Sequence, residues 1–146
     1  KIKEIIKLQS IGNLEIKIKN IQSSGVIPVV SQSANLIDGF VDEHIKPLSN
    51  VPYVIFGDHT KNVKYVDFPF LPGADGTKVF KPTNGIDHKL LYYYSLYASD
   101  NVDDYGYARH FSRFKNVVVP IFDTNTQKNI IFMLDKVFSL IDNYIT

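Results

Sequence analysis

The hydrophobic period of this chain is mainly two up to Lys81 and mainly helical after Asn84. Strand side chains alternate between faces, whereas helix neighbours recur every three or four residues. The first part of the chain therefore builds a twisted antiparallel or mixed sheet with long loops, and the second supplies helices. After a short helical turn around Ile2, Ile5 and Ile6, residues 14–19 (Leu-Glu-Ile-Lys-Ile-Lys) alternate strictly and predict a half-buried strand. Val26-Ile27-Pro28-Val29-Val30 predicts a strand whose proline restricts it to a sheet edge or a strand start. Residues 52–56 predict a buried strand ending at Gly57-Asp58, and residues 62–67 alternate again. Asp75-Gly76, ahead of Thr77-Lys78-Val79-Phe80-Lys81, predicts a hairpin turn.

Beyond that point Asn84 or Asp87 caps a helix running to about Ala98, with Ile86, Leu90, Tyr94 and Tyr97 on one face. Residues 117–121 return to extended structure. Thr124-Asn125-Thr126 then caps a terminal helix that reaches Tyr144 or Ile145. Its apolar positions Ile130, Leu134, Val137, Ile141 and Tyr144 are spaced four, three, four and three, the seam of a coiled coil. The plainer alternative is a helix packed on its own domain.

A length of 146 residues with 45% apolar content fits one domain with a real core. No repeat, low-complexity tract or linker divides it. The absence of cysteine rules out disulfides and thiolate metal ligands, and suits a reducing cytoplasm. No secretory signal or membrane-length apolar run is present. The first residue is Lys1 rather than methionine, as in a processed product or an excised piece. A net charge of +1 argues only weakly for nucleic acid, so any DNA-binding face has to come from uneven placement of charge.

Catalytic patterns are scarce. There is no Gly-rich phosphate loop, no Gly-x-Ser-x-Gly elbow and no His-x-x-x-His helix. Asp58-His59 as an acid–base pair, with Asp75 as a metal-binding carboxylate, leaves a small hydrolase or nuclease open. Loop and turn roles explain the same residues more simply. The polar loops are more suggestive. Ser31-Gln32-Ser33-Ala34-Asn35 offers small hydrogen-bonding groups, and His59-Thr60-Lys61-Asn62 offers donors. Residues 107–115 (Tyr-Ala-Arg-His-Phe-Ser-Arg-Phe-Lys) interleave cations with aromatics. Arg can fork onto guanine, while Lys and backbone amides hold phosphates.

Taken in order, several segments resemble the target-recognition domain of a Type I restriction–modification specificity subunit. They are residues 25–33, Ile37-Asp38-Gly39-Phe40-Val41-Asp42, Phe56-Gly57-Asp58-His59-Thr60, Val63-Lys64-Tyr65, Asp67-Phe68-Pro69-Phe70, residues 73–79 and residues 107–115. Val119-Pro120-Ile121 before a long helix is similar to the family's exit into its spacer helix. Residues 122–127 depart from the Pro-Pro and Glu-Gln often found there, which leaves the helix start open.

The resemblance implies an α+β fold: a recognition domain over residues 1–123 with a twisted sheet, then a coiled-coil-type spacer or dimerisation helix over 124–146. It implies a non-catalytic reader of double-stranded DNA, cytoplasmic and without membrane attachment. Methyltransferase subunits would bring S-adenosylmethionine for adenine methylation, and a motor subunit ATP and magnesium for cleavage. With one recognition domain and one helix, the chain looks like half a specificity subunit, able to form a homodimer. The expected DNA-facing residues are Ser33, Asn35, His59, Lys61, Lys78, Tyr107, Arg109, His110, Arg113 and Lys115. A recognition domain cut from a single-chain restriction–methylation enzyme and a protein that binds only other proteins through its last helix remain alternatives.

Overall fold

In the computed structural model, which describes residues 1–42 and 44–145, the strands are β1 (Ile6–Leu8), β2 (Ile27–Val30), β3 (Gly39–Val41), β4 (Tyr53–Gly57), β5 (Val63–Val66), β6 (Leu71–Pro72) and β7 (Thr77–Pro82). The helices are α1 (His88–Asp100), α2 (Phe111–Phe114) and α3 (Thr124–Ile145). The fold is α+β, with its long helix last.

Every residue of β4 is buried. It lies inside a four-stranded sheet of order β1-β7-β4-β5, paired antiparallel to both neighbours. A strand covered on both faces can be apolar throughout, as this one is. Val54 and Phe56, with Phe80 of β7, face a core made by Leu90, Leu91, Tyr94 and Ala98 of α1, Phe114 of α2, and Ile2 and Ile5. The Phe56 and Phe114 rings stack at 4.1 Å. Tyr53, Ile55, Val66 and Val79 point the other way, onto Val30, Leu48 and Phe70. A second sheet, of order β3-β2-β6, covers that face. Its own far side is closed by Ile16 packed with Val29, Val41 and Leu71. Helices, large sheet and small sheet thus form layers.

Several sequence expectations change here. Residues 14–19 form no strand. They run from the end of one 3₁₀ turn, Gly12–Leu14, into another, Ile18–Asn20, and only Ile16 is buried, bridged to Gly73. Ile16 packs with Val29, Val41 and Leu71, and the flanking residues stay at the surface. Pro28 sits in the central strand of the small sheet, not at an edge. It is tolerated near the strand start because opposite Phe40 bonds Gln22 instead, and pairing with β6 begins only at Val29. Asp75-Gly76 is not a hairpin turn: β6 pairs with β2 while β7 pairs with β4, so these residues carry the chain from one sheet to the other.

On α1, Asp87 is the cap, accepting from the Lys89 N–H at 2.7 Å. Tyr97 is exposed, and the buried face runs through Leu90, Leu91, Tyr94 and Ala98. Residues 117–121 are extended but join no strand ladder. Their contact with the N-terminal turn is Ile2 N–H donating to the Val117 carbonyl at 3.0 Å.

The terminal helix begins one residue after its real cap. Asp123, not the threonines, accepts from the Thr126 N–H and hydroxyl, both at 2.9 Å. The helix is then fixed by Gln127, which is buried and fully bonded. Its amide nitrogen donates to the carbonyls of Gly85 and Phe122, at 3.1 and 2.9 Å, and its oxygen accepts from the Asp87 N–H at 2.9 Å. Two to three turns on, the Tyr93 hydroxyl donates to Asp135 and the Tyr93 ring stacks on Phe138 at 5.4 Å. Ile130 and Leu134 are half-buried, whereas Val137, Ile141 and Tyr144 of the same seam are exposed. The helix is therefore docked on its own domain at its start, as the plainer reading expects, and its later seam positions are uncovered.

Candidate nucleic-acid interface

Four loops converge where β4 ends and β7 begins: residues 31–38, 58–62, 73–76 and 101–110. What joins them is a set of buried polar anchors. Asp58, only 2% exposed, receives the Arg109 guanidinium at 3.1 Å on one carboxylate oxygen and the Phe111 N–H at 2.9 Å on the other. Its carbonyl accepts from the His110 N–H at 2.8 Å, and its own N–H donates to the Gly76 carbonyl at 2.9 Å. Nearly every polar atom of one residue is thereby used to hold three separate segments. Arg109 spends one nitrogen on this contact, and its side chain remains 69% exposed. The guanidinium is oriented from beneath, with further N–H groups free to reach outward.

Gln32 does the same for the other loops. Its amide nitrogen donates to the Asp75 carbonyl at 2.6 Å and its oxygen accepts from the His59 N–H at 2.9 Å. Its backbone carbonyl accepts from the Thr60 hydroxyl at 2.7 Å and from the Asn62 amide at 3.0 Å. This close approach needs two glycines. A Cβ on Gly57 would come within 2.7 Å of the Gln32 Cβ, and one on Gly76 within 2.9 Å of the His59 ring. Gly76 also has φ of +75°, which side chains resist.

On this base sits an aromatic pair. The His59 and Tyr107 rings are nearly parallel at 4.3 Å, with the Ala108 carbonyl 3.1 Å from His59 Nδ1. Tyr107 is 85% exposed, so its outer face is open. Arg113 lies over the Tyr105 ring at 4.3 Å. Lys78 lies 5.7 Å from the Phe111 ring centroid and shares a shallow cleft of about 210 Å³ with Arg109, Gln9, Glu15 and Asp75.

The sequence-selected residues divide accordingly. His59, Lys61, Tyr107 and Arg109 come together, Lys78 adjoins Arg109, and Ser33 and Asn35 lie on the loop that Gln32 anchors. Lys115 stands apart, beside Lys3 and Leu8 at the β1 edge. His110 is completely buried and cannot face DNA. Its Nε2 accepts from the Tyr105 N–H at 3.2 Å and its Nδ1 lies 3.0 Å from the Asp58 carbonyl, so it closes the fold. Arg109 is paired with Asp58, not with Asp103 or Asp104.

Two anchors escaped the sequence reading. Gln32 carries no pattern that marks it among neighbouring polar residues, and Lys64 reads as the exposed position of an alternating strand. Lys64 is instead 6% exposed and donates to the Asn35 carbonyl. Burial pushes its pKa below the usual lysine value, while nearby Asp38 acts in the opposite direction. Among the described residues there is no cluster of three acidic, histidine or cysteine side chains suited to a metal ion, and no helix long and apolar enough to cross a membrane.

The comparisons with known proteins agree with this architecture. A family described as the Type I restriction modification DNA specificity domain matches residues 1–144. The crystal structure of a Type-I restriction-modification system S subunit from M. genitalium superposes with a TM-score of 0.60 at 17% identity, over 98% of this chain. The chain spans 40% of that subunit's length. No curated protein sequence matches.

Asp58→Ala should destabilise the domain by about 2–3 kcal/mol, since it strands the buried Phe111 N–H and frees Arg109. Arg109→Ala should cost less, about 1–2 kcal/mol, because it removes one bond from the buried carboxylate and leaves the Phe111 N–H bond made. Urea unfolding of both variants measures this. Equal losses would mean that Asp58 is not the anchor of these loops.

Proposed function

Because this chain belongs to the Type I restriction modification DNA specificity domain family, we propose that it reads a double-stranded DNA sequence on behalf of partner subunits that perform the chemistry. The observation that carries this reading is the exposed Arg109 guanidinium, held from below by buried Asp58, close to the Tyr107–His59 stack and sharing a cleft with Lys78. A pre-oriented guanidinium is suited to the O6 and N7 of guanine in a major groove. Arg113 and Lys61 supply phosphate contacts that set register without choosing sequence, and Lys115, at the β1 edge, stands outside this surface. Ser33 and Asn35 offer the small polar groups of a second reading loop.

The hydrolase alternative is disfavoured by the same geometry. Both oxygens of Asp58 are bound, one to Arg109 and one to Phe111, and His59 is stacked on Tyr107. Chemistry falls to the partners: methyltransferase subunits carrying S-adenosylmethionine for adenine methylation, and a restriction motor using ATP and magnesium. The recognition domain of a single-chain restriction–methylation enzyme would work alike. In either setting residues 1–123 read DNA and residues 124–146 act as the spacer.

The exposed half of α3 fits that division. Phe132, Met133, Val137, Leu140, Ile141 and Tyr144 are all exposed. Apolar surface of this kind gains about 25 cal/mol per Å² when covered. The occupant proposed is an equivalent helix, from a second recognition domain or from a second copy of this chain related by a two-fold axis. Light scattering on the isolated chain should show a dimer that Leu134→Asp together with Ile141→Asp converts to a folded monomer. A monomer at all concentrations, unaffected by these changes, would remove the pairing.

DNA binding, measured with the partner subunits present, should separate the cations. Arg109→Ala should cost roughly 1–3 kcal/mol at one base position and relax choice there. Arg113→Ala should weaken all sequences alike and reduce the salt slope by about one. Folded variants that leave affinity, salt slope and base preference unchanged would show that DNA binds elsewhere.

A further inference from the structure

Lys64 is an ammonium buried in the interior face of β5, and its one recorded partner is a backbone carbonyl in a loop near the DNA-facing cluster. That loop, residues 31–38, is held at both ends. Gln32 ties its start to the 58–62 and 73–76 loops. Asp38 ties its end back to its beginning, accepting from the Ser31 N–H at 2.8 Å and from the Ser33 hydroxyl. Between them, residues 34–37 are exposed and belong to no strand. Among the described residues, the inward bond made by that tip is the one from Lys64 to Asn35.

An unpaired lysine in this position is costly. Among the described residues no carboxylate lies within ion-pair distance of Lys64, and Asp38 acts on it only through space. A leucine or valine would fill the sheet interior more cheaply, so fold stability does not explain the residue. What the ammonium does supply is a strong directed donor that fixes the height and direction of the Asn35 backbone above the sheet.

Building on the DNA-reading function above, we propose that Lys64 is a positioning residue for base selection: it touches no DNA, and it sets the shape in which the tip around Asn35 meets the base edges. Arg109 and the Asn35 tip are then two reading elements with separate supports. Asp58 holds the first and Lys64 the second.

The full chain, assembled with its methyltransferase partners, would be used to select from a pool of randomised duplexes, in parallel with amide hydrogen exchange over residues 33–37. Lys64→Met, which keeps volume and removes the donor, should speed exchange in the tip. It should also reduce discrimination about tenfold or more at a few base positions. The position relaxed by Arg109→Ala should keep its preference, an outcome that general destabilisation would not give. Asp38→Asn, a loop change that leaves the sheet interior intact, should relax the same positions as Lys64→Met and serves if that variant fails to fold.

If the unsubstituted assembly selects a sequence and both variants select it with undiminished discrimination, Lys64 has no role in base choice and the DNA-reading function stands. Relaxation at every position, Arg109's included, would likewise overturn the positioning role. If the unsubstituted assembly selects nothing, the DNA-reading function itself fails and the positioning role falls with it.

Discussion

The carboxylate of Asp58 is the point on which the functional end of this molecule turns. It lies at the exit of the most buried strand, so its position is set by the core. From there it reaches Arg109, Phe111 and, through its backbone, His110 and Gly76. A buried carboxylate with such bonds is worth having only if all are made, because each missing one leaves an uncompensated polar group. The loops it joins consequently share one geometry. Gln32 extends the same arrangement to the 31–38 loop, and Gly57 and Gly76 leave room for it.

This explains how a nearly neutral chain can present a DNA-facing surface. Charge is not in excess; it is placed. Arg109 stands on Asp58, Arg113 over Tyr105, and Lys78 near Phe111, so three cations are held in defined positions on one side of the helix–sheet layer. The other end of the molecule follows a different logic. Gln127, Tyr93 and Asp135 dock the first turns of α3, and its remaining turns carry apolar surface that the domain leaves uncovered. The proposed recognition surface and the proposed pairing helix are thus separated along the chain, with the core between them.

Much of the architecture was legible because it rests on periodicity. The buried run at β4, the alternation of β5, the capped α1 and the long α3 each follow from local pattern. What misled was pattern without partner. Residues 14–19 alternate as well as β5 does, but only Ile16 pairs, at the end of β6, and only Ile16 is buried. Asp75-Gly76 has hairpin chemistry, yet the strands it joins belong to different sheets. Within the site, exposed groups such as Tyr107 and Arg109 were identifiable from residue type. Gln32, Lys64 and the true roles of Asp58 and His110 were not, since each depends on contacts across 27 or more positions of sequence. Long-range polar anchoring leaves no local trace.

The central claim, that the loops tied together by Asp58 and Gln32 form the DNA-facing surface, is tested most directly by amide hydrogen exchange of the assembled protein with and without its target duplex. The account requires slowed exchange on DNA binding in residues 31–37, 58–62 and 105–113, with α1 and the 3₁₀ turns around Ile16 unchanged. Protection confined to the β1 edge or to the Ile16 side, with those three loops exchanging as before, would contradict it.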